Sequence, residues 1–157
     1  MRLLLLLWVL TTSLPAQTLE VSGEVEKTLK LSLADLELLP HQTVDAVEHS
    51  GEKAQFTGVP LYQILKTAGV PMGEQLRGPA LSLYIVIIAS DGYQAVYALP
   101  ELDPLANEGT VILADQKNGR PLDATTGPLR VILPKEKRHA RWVRQVVKID
   151  VRRAAKA

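Results

Sequence analysis

Apolar and polar residues alternate from Thr18 to Ser32 (TLEVSGEVEKTLKLS), with Gly23 breaking the run. Two short strands around a turn satisfy that pattern, because successive strand side chains face opposite sides. Ser32 followed by Asp35 opens SLADLELLP, which predicts a capped helix stopping before Pro40. TVDAVEHS predicts a further strand and GEKAQ a polar turn. In GVPLYQILKTAGVP, Pro60 suits a helical first turn, since its φ is already set and its missing N–H is not needed. Leu61, Ile64, Leu65 and Ala68 then share one face, Gly69 ends the helix and Pro71 follows.

Leu81 to Ala89 (LSLYIVIIA) is a continuous apolar, β-branched run and predicts a central strand. Asp91-Gly92 supplies the turn of a hairpin into YQAVYAL. TVILAD (Thr110 to Asp115) predicts another buried strand, Asn118-Gly119 a second turn, and PLRVILP a further strand. RWVRQVVKIDV closes the pattern, with Val143, Val147, Ile149 and Val151 expected on one side. Strands dominate and two short helices are interspersed, which predicts a β-rich α+β domain and not a wound βαβ sheet.

The first sixteen residues stand apart. Met1-Arg2, the apolar Leu3 to Leu10 and the small-residue stretch TTSLPA read as an export leader, with cleavage expected after Ala16. Residues 17–157 then form one domain in a periplasmic or secreted location; a retained anchor is the alternative. The apolar run is shorter than the ~18 residues expected of a spanning helix.

Charge sharpens the picture. From Lys135 to the end there are nine Lys and Arg against Glu136 and Asp150, whereas residues 17–134 carry eight basic and fifteen acidic residues. The C-terminal segment is therefore cationic on an anionic body. Nucleic-acid binding is not expected of an exported chain whose basic and acidic residues balance after the leader. The chain has no cysteine, so disulfides and thiolate chemistry are excluded. Walker, GxGxxG, HExxH and GxSxG motifs are absent, and His41, His49 and His139 show no metal-ligand spacing.

An ordered set of local patterns remains. It runs Gly58-Val59-Pro60-Leu61 with its helix to Ala68-Gly69, Asp91-Gly92-Tyr93, Leu113-Ala114-Asp115, Asn118-Gly119 with Pro121-Leu122, Gly127-Pro128-Leu129-Arg130 leading to Pro134, and Arg138-His139 before Trp142-Val143. In this order the chain resembles the molybdopterin-binding domain of the sulfite oxidase family, over Leu19 to Val151. The resemblance implies that family's fold and a pterin cofactor whose phosphate is held near the C-terminal strands. It marks Arg138, His139, Arg141 and Trp142 as cofactor-binding candidates, with Lys135 and Lys137 close by; Tyr93 either offers a hydroxyl there or is buried to close the core. By the burial habits of tryptophan, Trp142 reads first as a core or rim plug and only second as a stacking platform. The catalytic members bind molybdenum through a cysteine before the GVPL-like helix. The corresponding stretch here, Thr43 to Thr57, has none; the resemblance places His49 or Ser50 near the vacant position.

Molybdopterin therefore stays a candidate cofactor, and molybdenum ligated in the usual way is not expected. Three functions follow. The first is binding of an anionic small molecule, a pterin or another phosphate or carboxylate compound. The second is a molybdopterin-dependent oxidoreductase with non-cysteine metal ligation. The third is a non-catalytic domain that docks its basic strand on an acidic protein or a membrane surface. Neither catalytic residues nor oligomeric state can be read from the residues.

Overall fold

A computed structural model describes residues 17–155. The expected leader falls on residues 1–16, outside the described residues. In chain order the strands are β1 (Thr18–Gly23), β2 (Leu29–Ser32), β3 (Gln42–Val47), β4 (Lys53–Pro60), β5 (Leu83–Ala89), β6 (Gln94–Ala98), β7 (Ile112–Lys117), β8 (Arg120–Pro121), β9 (Arg130–Ile132) and β10 (Val146–Arg153). The helices are α1 (Leu33–Glu37), α2 (Leu61–Thr67) and α3 (Leu99–Leu102). One sheet has the order β2-β1-β10-β5-β6; the other has β3-β4-β7-β8, with β9 also paired to β7.

β1 runs parallel to β10, with Val21 opposite Ile149, so the two ends of the domain close one sheet. β5 is interior in that sheet, antiparallel to β10 and β6, which explains its uninterrupted apolar sequence. Leu19, Ile85 and Ile149 of this sheet share one apolar cluster with Phe56, Leu113 and Val131 of the other and with Leu61, Ile64 and Leu65 of α2. The mixed, β-rich α+β architecture with short helices is the predicted one.

Local chemistry accounts for most boundaries. Ser32 caps α1, with Asp35 N–H donating to its hydroxyl while the Asp35 carboxylate accepts from the Ser32 N–H at 2.8 Å. Pro60 is the N-cap of α2, and Gly69 follows its end at φ +79°. Asn118 and Gly119, both at positive φ, turn β7 into β8.

Three expectations need correction. GEKAQ is not all turn, because Lys53 to Gln55 pair with Val47 to Asp45 and begin β4. Leu99–Leu102 forms a third helix, α3, with Glu101 accepting from the Ala98 N–H at 2.9 Å. The final alternation is also offset. A bulge between Val146 and Lys148 turns Val146 into the core and leaves Val147 half-buried, because the strand starts after a kink and not at Arg141.

Candidate functional site

The connection from β9 to β10 carries the cationic stretch, and one short 3₁₀ turn, His139–Arg141, bends it. A cleft of about 670 Å³ opens along it, bounded by His49 after β3, by Asp91 and Tyr93 between β5 and β6, and by Thr125. Lys137, Arg138 and Arg144 line this cleft, and none has an ion-pair partner among the described residues. Every other described cation from Lys135 onward is paired: Lys135 with Glu108 (3.5 Å), Arg141 with Glu136 (2.7 Å) and Glu101 (2.6 Å), Lys148 with Glu20 (2.9 Å), Arg152 with Asp150 (2.8 Å) and Arg153 with Glu24 (3.1 Å). The body's acids thus neutralise most of the C-terminal charge and leave three cations at one place.

The expected site residues divide accordingly. Tyr93, Lys137, Arg138, His139 and Trp142 meet at the cleft. Lys135 and Arg141 instead line a neighbouring depression of about 610 Å³, which Lys137 also borders and which contains Glu101 and Glu136. Arg141 faces away because two carboxylates hold its guanidinium, which also stacks 4.6 Å from the centre of the Tyr97 ring. Arg144 was not singled out from the sequence, since nothing in a run of cations marks which one lacks a partner.

The cleft's polar groups are held individually. Glu136 accepts from the backbone N–H of Arg138 at 2.8 Å, fixing the chain that presents that arginine. This N–H first, and then the Arg141 guanidinium, keeps the Glu136 carboxyl below its ordinary value despite partial burial. His139 Nε2 donates to the Val47 carbonyl at 2.8 Å, which leaves Nδ1 without a proton in the neutral ring. Tyr93, 47% exposed, donates its hydroxyl proton to the Ala140 carbonyl at 2.8 Å. Its hydroxyl was expected as a donor to ligand; that donor is committed, and the ring lines the wall. Asp91 is the acid on the wall, and its Oδ1 accepts from the Tyr93 N–H at 2.9 Å.

Trp142 is only 2% exposed and fills the core edge-on to Phe56, with 6.0 Å between ring centres. It also touches the cleft, where its ring lies 4.6 Å from that of His139. Arg130, 5% exposed, places its guanidinium 5.4 Å from the Trp142 ring and 5.7 Å from Phe56, and bonds Glu48 at 2.7 Å. Burial opposes ionisation of Glu48, yet hydrogen bonds from Lys117 and Arg130 bring its carboxyl below the ordinary value. Two buried donors here, Arg130 Nε and Trp142 Nε1, have no partner among the described residues. Buried donors are almost always satisfied, so these two are exceptions within the core beside Phe56. The buried Arg130 had one sequence signal, an arginine inside the apolar run LRVIL.

The sequence profile described as the oxidoreductase molybdopterin binding domain matches residues 9–157. The chain belongs to that family, whose domain is sulfite oxidase-like. No curated protein matches it. Among solved structures, the sulfane dehydrogenase SoxCD from Paracoccus pantotrophus has a similar fold, with a TM-score of 0.69 at 21% identity. That likeness covers 88% of this chain and 39% of the SoxCD chain, so this domain spans well under half of that protein's length.

The family implies a molybdopterin, and its two parts fit this site differently. The unpaired Lys137, Arg138 and Arg144 suit a phosphate; Arg130 does not line the cleft, and its Nε, like Trp142 Nε1, is buried out of reach of a ligand there. Thiolate ligation of molybdenum does not fit, because the chain has no cysteine. The cleft offers the His49 and His139 imidazoles instead, 5.7 Å between ring centres. Imidazole is a harder ligand than thiolate. Ser50 does not line the cleft; its hydroxyl accepts from the Glu52 N–H at 3.3 Å. Among the described residues, no group of three His, Asp or Glu side chains is arranged to hold a metal ion.

Proposed function

We propose that this domain binds an anionic small molecule, a phosphate-bearing pterin or another phosphate or carboxylate compound, without a thiolate-ligated molybdenum. One observation carries the reading. Among the described residues, the three C-terminal cations left without ion pairs are the three that line the cleft. Leaving three like charges together opposes folding unless a counter-ion joins them, and a bound anion supplies that counter-charge.

Each part of the wall has a role in this reading. Arg138 and Arg144 offer planar forks to the anion and Lys137 a point charge. Glu136 keeps the Arg138 backbone in place from the far side. Tyr93 supplies a half-exposed ring against which a planar ligand packs. When bound, a pterin would supply redox chemistry; the protein's residues bind and orient it and exclude water from one side.

Export is part of the same proposal and is supported by the leader pattern of residues 1–16. N-terminal sequencing of protein recovered outside the cytoplasm tests it, with a start at Gln17 expected and an intact Met1 contradicting cleavage. Docking through the basic strand draws less support, because Lys148, Arg152 and Arg153 on β10 each have a carboxylate partner.

Titration with inorganic phosphate at low and high salt tests the cleft. Binding that weakens with salt and is lost in the Arg138→Ala/Arg144→Ala variant supports the reading. Binding unaffected by both substitutions contradicts it.

A further inference from the structure

Gln145 is the outlier in the cleft's frame. Its backbone sits at φ +48°, a left-handed conformation that a glutamine rarely adopts. Such strain persists only where surrounding bonds over-determine it. Here they do. The Gln145 carbonyl accepts from the Ser90 N–H at 2.9 Å, and its N–H donates to the Thr126 carbonyl at 3.2 Å. Its side-chain Oε1 accepts from the Ser90 hydroxyl at 2.9 Å, while Nε2 donates to the Ala124 carbonyl at 2.8 Å.

One residue therefore ties three separate chain segments together, and each presents a cleft-lining neighbour: Asp91 beside Ser90, Thr125 between Ala124 and Thr126, and Arg144 beside Gln145 itself. We propose that Gln145 is a positioning residue, a clamp that fixes these three segments as one wall and so sets how Arg144 and Asp91 face the ligand. The inference rests on the anion-binding reading of the cleft. The strain also has a purely local use, since the kink precedes the bulge at Val147. Glycine keeps the left-handed backbone and that bulge while deleting both side-chain bonds, so Gln145→Gly separates the two roles.

The experiment measures amide hydrogen exchange and inorganic phosphate affinity for the full-length protein, the Gln145→Gly variant and Ser90→Ala. The clamp predicts exchange about tenfold faster in residues 90–93 and 124–126 of Gln145→Gly, with the centres of β5 and β10 unchanged. Phosphate affinity falls several-fold in the same variant, and Ser90→Ala, which deletes one tie, shows a smaller change of the same kind. Unchanged exchange in both segments overturns the clamp. Faster exchange with undiminished phosphate affinity overturns its positioning role. Failure of the wild-type protein to bind phosphate counts against the anion-binding reading, and the exchange data still decide for or against the clamp.

Discussion

Glu136 and Arg141 form a 2.7 Å ion pair on the far side of the segment that carries Arg138 into the cleft. The same carboxylate accepts the Arg138 N–H, so one acid both turns Arg141 away and holds Arg138 in place. Glu136→Ala frees that N–H and leaves Arg141 with Glu101 alone. Unfolding in urea is expected to show a loss of about 1 kcal/mol. Phosphate affinity falls alongside, although Glu136 carries the wrong charge to bind phosphate; an affinity increase from simple removal of a negative charge would contradict this role.

Tyr97 is fully buried, and its hydroxyl donates to the Arg141 carbonyl. Burial, partly countered by the Arg141 charge, pushes the phenol pKa well above its ordinary value, so the proton stays on the oxygen. Tyr97→Phe keeps the ring under the Arg141 guanidinium and leaves that carbonyl without its donor. The expected destabilisation is about 1–2 kcal/mol, read as a lower urea midpoint at unchanged slope.

His41 bridges the α1–β3 connection to β7, with Nδ1 donating to the Leu39 carbonyl at 2.7 Å and Nε2 to Asp115 at 2.8 Å. Both nitrogens can donate only in the imidazolium. Burial opposes that charge, but the bonds to Asp115 and Leu39 outweigh it and raise the pKa above 6.5. The stabilisation is therefore fully present below the unfolded value of 6.5 and is lost as pH rises through the raised folded value. Urea unfolding of wild type and His41→Gln across that range should show a stability difference that shrinks with rising pH. A difference independent of pH would contradict the charged bridge.

Gly58 lets β4 approach β7 so closely that a side chain would collide with the Leu113 carbonyl and the Ala114 Cα. Both obstacles are backbone, which cannot swing aside. Gly58→Ala should cost about 3 kcal/mol, measured by chemical denaturation. Wild-type stability in that variant would mean that the bulge between Thr57 and Gly58 absorbs the methyl group.

Legibility from the sequence followed the range of the interactions. Ser32 with Asp35, Gly69 and Asn118-Gly119 fold by contacts within a few residues and lie where the pattern placed them, while Pro60, expected in the first turn of α2, sits just before it as the N-cap. The uninterrupted apolar β5 was equally plain, because an interior strand buried on both faces needs no alternation. The offset of Val146 and Val147 was not legible, since it follows the left-handed backbone at Gln145, whose N–H and carbonyl bond Thr126 and Ser90 far away in the sequence. The site shows the same divide. The cationic run was visible, but Arg141 leaves the cleft through Glu101, forty positions distant, and Arg144 stays for want of any such partner.

The most direct test of the cleft is ligand extraction with mass spectrometry and elemental analysis. It uses full-length protein from a molybdenum-replete host that makes the pterin cofactor, beside the Arg138→Ala/Arg144→Ala variant. The account predicts a stoichiometric anionic small molecule on the wild-type protein, its loss from the variant, and no stoichiometric molybdenum on either. Wild-type protein empty of any such ligand, a ligand retained by the variant, or molybdenum bound one to one would contradict it.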